Sequence, residues 1–135
     1  MAQDVLVTQS LTDPMIEAGA KLIERLDATD SDVRSAFWLY SSDTQTWKLV
    51  IASPLVDEKG PRDYYKRIID ANMLASTEEQ TLSINDVRVV GTKHHMHQLL
   101  ASAFGDTPSV FGRRLTGNTI NGVFIEDAHL YRSTL

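Results

Sequence analysis

Three histidines fall within four consecutive residues, at positions 94, 95 and 97. At the start of a helix, His94 and His97 would lie one turn apart and both would point outward. Imidazole nitrogens transfer protons near neutral pH, so His94 and His97 are candidate catalytic residues. The same pair is the candidate for a divalent metal, although no metal is assigned and the expected cofactor is none. Surface histidines without a role are the alternative.

The residues just before these histidines indicate a second kind of site. Val89 and Val90 belong to an apolar run that ends at Gly91, where a helix is expected to begin. Free backbone N–H groups and the helix dipole attract anions at such a junction, and Lys93 adds a positive charge. Thr92 and Lys93 are therefore candidate anion-binding residues. An ordinary helix cap at Thr92 is the alternative.

Two arginines and two carboxylates later in the chain complete the candidate chemistry. Arg113 and Arg114 are candidate anion-binding residues, because a guanidinium can hold phosphate oxygens through two parallel hydrogen bonds. Glu126 and Asp127 interrupt an apolar strand, and a buried carboxylate there would have a raised pKa suited to acid or base catalysis. A β-bulge or an exposed edge would relieve that burial. A salt bridge between the pairs is a further alternative, but neither available turn sets Arg114 directly opposite Glu126.

Aromatic side chains on a predicted hairpin form the candidate partner-binding surface. Trp38 and Tyr40 lie on its first strand and Trp47 on its second, where Tyr40 would lie opposite Trp47. Tryptophan and tyrosine are enriched at protein interfaces and can also stack on bases. The acidic neighbourhood counts against nucleic acid, and burial of all three in the core is the alternative.

Apolar spacing predicts the elements that must position these residues. A helix is expected over residues 13–27 with Asp13 as its N-cap, and another begins at Pro61. The second helix is expected to bury the stripe Tyr65, Ile68, Ile69 and Met73. Between the helices, residues 36–40 and 47–52 predict a β-hairpin. Both strands are apolar at nearly every position, which indicates helix on both faces, or helix on one face and a partner on the other.

The second half of the chain predicts one more helix and three strands. A strand at residues 86–90 leads into a helix over residues 93–104 that Gly105 would cap. Residues 109–115 and 123–132 predict the last two strands. Two turn signals compete between them, Gly117-Asn118 and Asn121-Gly122. If the strands at 86–90 and 109–115 are parallel, their connection is a right-handed crossover.

The predicted order is helix, strand, strand, helix, strand, helix, strand, strand. We therefore expect an α+β fold in which three helices pack on a mixed sheet of about five strands, in two or three layers. One domain is expected to span residues 1–135, because that length suits a single core.

Composition and charge exclude several classes of protein. The chain has 135 residues, no cysteine and a formal net charge of −5. The absence of cysteine excludes a disulfide framework and thiolate chemistry, and the acidity argues against non-specific nucleic-acid binding. The acidic excess lies in residues 1–60, whereas residues 61–135 are balanced and contain all four histidines. Without a leader-like or membrane-spanning stretch, we expect a cytoplasmic protein with no membrane partner.

The sequence contains no complete catalytic motif. The leading hypothesis is therefore a small cytoplasmic non-catalytic protein that acts through protein–protein contact. We expect a protein partner or self-association, with a homodimer as the commonest homo-oligomer. The alternative is a phosphoester hydrolase or nuclease-like enzyme, which requires that a histidine share a small cleft with an arginine and a carboxylate. A nucleic-acid-binding module is the second alternative.

Overall fold

The fold is built around a five-stranded mixed sheet in this computed structural model, which describes residues 3–104 and 112–134. The elements in chain order are β1 (Gln3–Asp4), α1 (Asp13–Ala28), β2 (Ser35–Ser41), β3 (Thr46–Ala52), α2 (Pro54–Lys59), α3 (Pro61–Asn72), β4 (Gln80–Thr81), a 3-10 turn (Ile84–Asp86), β5 (Val87–Val90), α4 (His95–Phe104), β6 (Arg113–Ile120) and β7 (Val123–Ser133). The strand order in the main sheet is β5-β3-β2-β7-β6. The structure confirms the α+β fold and the mixed five-stranded sheet, with four α-helices in the described residues instead of three.

Helices cover both faces of the sheet, which gives three layers. Helices α1 and α3 pack on one face, against a cluster that includes Trp38, Leu49 and Tyr131. Helix α4 packs on the other face, against Phe37 and Leu130. Successive residues of a strand point to opposite faces, so β2 and β3 contribute apolar side chains to both clusters. This double cover explains why the two hairpin strands are apolar at nearly every position.

The N-cap of α1 is Thr12 and not Asp13 as predicted. The Thr12 hydroxyl accepts a hydrogen bond from a backbone N–H of the first turn at 3.4 Å. Asp13 is the first helical residue, where its negative charge interacts favourably with the helix dipole.

Two consecutive hydrogen bonds connect helix α1 to the sheet. Trp38 Nε1–H donates to the Tyr131 hydroxyl at 2.8 Å, and that hydroxyl donates to the Ile16 carbonyl at 2.6 Å.

The buried face of α3 differs from the predicted stripe. Tyr64 and Ile68 are fully buried, whereas Ile69 and Met73 expose 44% and 78% of their surface. The prediction that Ile69 and Met73 belong to the core is wrong, because this helix carries two apolar stripes side by side. Only the stripe with Tyr64 and Ile68 faces the sheet, and the stripe with Tyr65, Ile69 and Met73 lies at its margin.

Strands β5 and β6 occupy opposite edges of the sheet. Strand β5 pairs in parallel with β3, and β6 pairs antiparallel with β7. Because β2 also pairs antiparallel with both β3 and β7, β5 and β6 run in opposite directions. The condition for the expected right-handed crossover between them is therefore not met. The parallel connection in this fold joins β3 to β5 instead, through α2 and α3.

The β6–β7 hairpin turns at the second of the two predicted turn signals. Asn121 and Gly122 have positive φ angles of +49° and +80°, which suit an Asn-Gly turn. Gly117 does not make a turn and lies within β6 with a φ of +61°. The strand predicted at residues 109–115 corresponds to β6 at Arg113–Ile120, which extends closer to the turn. Residues 109–111 of the prediction lie outside the described residues.

Helix α4 begins at His95, two residues later than predicted, and its expected Gly105 cap lies outside the described residues.

Several short elements were not predicted from the sequence. Strands β1 and β4 form a two-residue parallel ladder, and α2 has six residues. Each is too short to show a hydrophobic period. Within residues 3–104 and 112–134, no helix is long and apolar enough to cross a membrane.

Candidate functional site

His94 and His97 do not share a site. His97 is buried, and its Nδ1 lies 2.5 Å from the Ser35 hydroxyl oxygen. His94 is half-buried, and its Nδ1 accepts a hydrogen bond from the Met96 N–H at 3.2 Å, which caps α4. The prediction that His97 points outward is wrong, because α4 packs that side of its first turn against the start of β2. The capping role considered for Thr92 belongs to His94.

Both imidazoles are held in the neutral form. Burial lowers the pKa of His94 and of His97, and electrostatic repulsion from the neighbouring His95 ring and Arg88 guanidinium lowers that of His94 further. The capping bond places the proton of neutral His94 on Nε2, since Nδ1 is an acceptor. His94 can therefore donate one hydrogen bond to a ligand without becoming charged.

The anion at the β5–α4 junction is a carboxylate of the chain itself. Thr92 donates both its N–H and its hydroxyl to Asp57 Oδ2, at 2.9 and 2.8 Å. These bonds hold the pKa of Asp57 below its usual range, with a smaller contribution from the charge of Lys93. Gly91 permits the close approach of the Asp57 carboxylate, because a Cβ at position 91 would lie far inside van der Waals contact distance of Asp57 Oδ1. The predicted junction thus attracts an anion, and Asp57 fills it.

Arg114 and Asp127 form a bidentate ion pair. Arg114 Nε and Nη2 donate to the two carboxylate oxygens at 2.6 and 2.7 Å, and the Thr116 hydroxyl adds a third bond at 3.1 Å. Arg114 lowers the pKa of Asp127, which is the opposite of the raised pKa expected for a buried catalytic acid. Thr116 lies directly opposite Asp127 in the ladder, so Arg114 reaches the carboxylate diagonally. The salt-bridge alternative is realised with Asp127 and not with Glu126.

Arg113 and Glu126 lie apart from that pair and are exposed. The Arg113 guanidinium lies over the Phe104 ring at 4.6 Å from its centroid. The ladder of paired residues skips Glu126, and Ile125 and Ala128 on either side of the gap face the same cluster although they are three positions apart. The register is the same on both sides of Glu126, so no β-bulge lies there, and Glu126 belongs to a part of β7 that pairs with β6 alone, which agrees with the exposed-edge alternative.

The aromatic residues of the hairpin belong mainly to the core. Trp38 and Trp47 expose 0% and 2% of their surface, and half-buried Tyr40 lies opposite Trp47 with ring centroids 5.4 Å apart. Trp47 Nε1–H donates to the Gln9 carbonyl at 2.9 Å, so the N-terminal segment covers it. Their burial removes the exposed aromatic surface on which the partner-binding interpretation depends.

One cleft does bring a histidine, an arginine and a carboxylate together. It has a volume of about 470 Å³ and lies where α4 begins. Its lining includes Arg88, His94, His95, Phe124 and Glu126. His94 and His95 stack there with ring centroids 4.5 Å apart. His94 and Glu126 therefore meet the shared-cleft requirement, with Arg88 in the place expected for Arg113 or Arg114.

The divalent-metal option at His94 and His97 gains no support from the geometry. The two imidazoles have different hydrogen-bond partners, Met96 and Ser35. In the part of the chain that the structure describes, no group of three or more histidine, cysteine or acidic side chains could hold a metal ion.

The cleft shares lining residues with the first of two further depressions around the β5 edge of the sheet, and we name the three together the edge trough. Its middle is a depression of about 870 Å³ that shares Ser41 and Arg88 with the cleft. A third depression, of about 570 Å³, joins the middle through Ile84. The cleft lies on the face that α4 covers and the third depression lies beside α3 on the other face, so the three depressions pass around the β5 edge from one face to the other.

The trough has a basic middle, and exposed large hydrophobic side chains lie at both of its ends, beside Glu126 at one end and Asp4 at the other. Among the described residues, Lys48, Arg62 and Arg88 line the middle depression and no carboxylate does, although the whole chain carries a net charge of −5. The described residues contain seven large hydrophobic side chains that are exposed, and five of them line the two end depressions. These five are Ile69, Met73, Ile84, Val123 and Phe124. The trough therefore differs from the rest of the surface in both charge and polarity.

Sequence reasoning did not single out Arg62, Arg88 or Tyr65 as site residues. The i,i+4 carboxylates on the same helix made its basic charge look locally paired, yet Arg62 forms no ion pair with another described residue. Arg88 stands alone between valines in a four-residue strand. The signal that could have found the trough is the second apolar stripe of α3, which was assigned to the core.

Comparisons with known proteins give no match for this chain, whether with protein-family models, curated proteins or solved structures.

Proposed function

We propose that this protein is a small non-catalytic binding module that takes an acidic, partly apolar segment of a partner protein in the edge trough. The lining of the middle depression carries the proposal, because it presents Lys48, Arg62 and Arg88 and no described carboxylate lines it, although Asp86 interacts with Lys48 from outside the lining. Opposite charge speeds association and selects between partners. An acidic segment would therefore be attracted to this side of an otherwise acidic molecule.

Exposed hydrophobic side chains at the two ends of the trough supply the contacts that hold such a segment. Met73 and Phe124 expose 78% and 64% of their surface, one at each end. Large apolar side chains grouped on a surface mark interaction sites, and a few buried anchors supply most of the binding free energy. Methionine also adapts its shape to different partners.

Self-association and a cytoplasmic location belong to the same proposal. A second copy of this chain could supply the acidic segment, since residues 1–60 hold twice as many acidic as basic residues. The cysteine-free composition suits a reducing compartment. Light scattering at increasing protein concentration measures the molar mass and so distinguishes a homodimer from a monomer that binds a different protein.

The hydrolase alternative retains one supporting observation, the cleft that His94 shares with Arg88 and Glu126. The other candidate groups are engaged elsewhere, since Arg114 binds Asp127 and His97 contacts Ser35. The basic middle of the trough would also attract a nucleic acid. A direct comparison of ligands therefore has to include an oligonucleotide.

Fluorescence anisotropy with two labelled ligands tests the proposal. One is a capped peptide that alternates valine and glutamate, and the other is a single-stranded oligonucleotide of equal net charge. Arg62→Glu and Arg88→Glu should each weaken peptide binding about tenfold or more, equivalent to about 1.4 kcal/mol. Lys66→Glu is the matched control, because Lys66 lies on the same helix but lines a different depression.

The control variant should bind the peptide within about twofold of the parent protein, since it changes only the long-range charge. Equal losses in all three variants would contradict the proposal, because net charge alone would then account for binding. Tighter binding of the oligonucleotide than of the peptide would favour the nucleic-acid alternative instead.

A further inference from the structure

The Tyr65 hydroxyl occupies the free edge of β5. It donates a hydrogen bond to the Val87 carbonyl at 3.2 Å and accepts one from the Val89 N–H at 3.3 Å. An N–H group makes one bond, so the Val89 N–H does not take part in the ladder with β3 on the other side. Tyr65 thus covers the backbone groups that an outermost strand leaves without a partner.

This pair of bonds has the pattern of one residue in a parallel strand. In a parallel pair, a residue donates its N–H to the residue before its opposite number and accepts from the residue after it. Tyr65 does the same with Val87 and Val89, so its hydroxyl stands where the backbone of a residue opposite Arg88 would lie. Strand β5 already runs parallel to β3, and a further parallel strand would continue the sheet.

We infer that the partner segment adds to β5 as a sixth, parallel strand and displaces the Tyr65 hydroxyl from Val87 and Val89. The inference rests on the proposed function and specifies how the trough is filled. The O–H···O bond to Val87 exceeds the usual distance of about 2.7–2.8 Å and the N–H···O bond from Val89 exceeds the usual distance of about 2.9–3.0 Å, so backbone groups can replace both with better geometry. Strand addition of this kind is a general mode of peptide recognition.

The side chains around β5 specify which segment fits. Arg88 is exposed and lines the cleft with His94, so an acidic residue opposite Arg88 would face both cationic and N–H donors. Its neighbours in the added strand would point to the other face, where Tyr65 and Ile84 line the trough. The fitting segment therefore has an acidic residue with an apolar residue on each side.

Amide NMR with the valine–glutamate peptide tests the inference. At saturation, the Val89 amide signal should shift and its hydrogen exchange should slow, because its donor bond passes from a side chain to a backbone. Tyr65→Phe should tighten binding about threefold or more, since no hydroxyl then competes for the edge. Tyr64→Phe is the control, because the Tyr64 hydroxyl bonds to the Ser31 carbonyl away from the trough and should leave affinity unchanged.

A second peptide has the same charges but carries N-methyl groups on its glutamates, which removes the N–H that would bond to Val87. It should bind at least about tenfold more weakly. Equal affinity of the two peptides, an unchanged Val89 amide or weaker binding to Tyr65→Phe would each overturn strand addition. If binding still depends on Arg62 and Arg88 in that case, the proposed function survives. If the peptide does not bind at all, both proposals fail.

Discussion

At the scale of single residues, Gly91 and Asp57 depend on each other. The Asp57 carboxylate bonds to the N–H and hydroxyl of Thr92, and it lies where a side chain at position 91 would be. Gly91→Ala should destabilise the protein by about 1–3 kcal/mol in urea denaturation, because the added methyl group pushes the carboxylate away from Thr92.

The control for this prediction is the same substitution in an Asp57→Gly background. The clash is then absent, so Gly91→Ala should cost much less than it does in the parent protein. An equal cost in both backgrounds would show that the glycine is needed for another reason.

The Arg114–Asp127 pair predicts a pH-dependent loss at the same scale. The pKa of Asp127 is lowered in the folded state, so the pair contributes stability above the unfolded pKa of about 4 and loses it as the pH falls through the folded pKa. Asp127→Asn should cost about 0.5–1 kcal/mol at pH 7, the range for a partly exposed pair. The difference between parent and variant should vanish in denaturation curves measured at about pH 2.

Residue types predicted the chemistry of these two places better than the partners. Glycine, threonine and lysine before a helix predicted an anion site, but the anion comes from Asp57, 35 residues earlier in the chain. Arg114 and Asp127 were both candidates, yet only the register of the hairpin shows that they meet on a diagonal. Partners that lie far apart in sequence depend on the tertiary fold, which local patterns do not specify.

At the scale of elements, the first turn of α4 depends on an uncharged cap. His94→Ala should cost about 1 kcal/mol, and His94→Asn should retain most of that stability, because asparagine can also accept the Met96 N–H. The pKa of His94 is lowered on folding, so the cap contributes above the unfolded pKa of about 6.5 and is lost as the pH falls through the folded pKa.

Amide hydrogen exchange measures this loss directly. The protection factor of the Met96 amide should fall on acidification in the parent protein, whereas in His94→Asn it should stay constant over the same range. A constant protection factor in both proteins would contradict the capping role of the imidazole.

Elements with strong local signals were predicted well and short ones were not. Helix α1 and the β2–β3 hairpin follow from apolar spacing, turn residues and a proline near the helix start. The start of α3 at Pro61 followed too, but its inward face did not, because two adjacent apolar stripes compete and only packing decides between them. The same competition hid the edge trough, whose apolar margin looked like core.

At the scale of the whole molecule, three histidines together make the folded protein less stable in acid. Burial lowers the pKa of His94, His97 and His129, so the unfolded chain binds up to three more protons than the folded one below about pH 6.5. The free energy of unfolding should therefore decrease steadily from pH 7 to pH 5. His97→Gln, which can keep the bond to Ser35, should make the pH dependence shallower by up to one proton.

Urea denaturation at a series of pH values gives the slope for both proteins. A parent slope near zero in this range, or an unchanged slope in His97→Gln, would contradict the assignment.

Strand β7 has a consequence for the order in which the protein is made. It follows every other described strand in the chain, yet it lies inside the sheet, between β2 and β6. Once β3 has also emerged from the ribosome, β2 can pair with it on one side while its other side stays open. That inner edge, which includes Phe37 and Trp38, has no partner until residues 123–133 emerge. Through most of translation, β2 is accessible to chaperones and to neighbouring nascent chains.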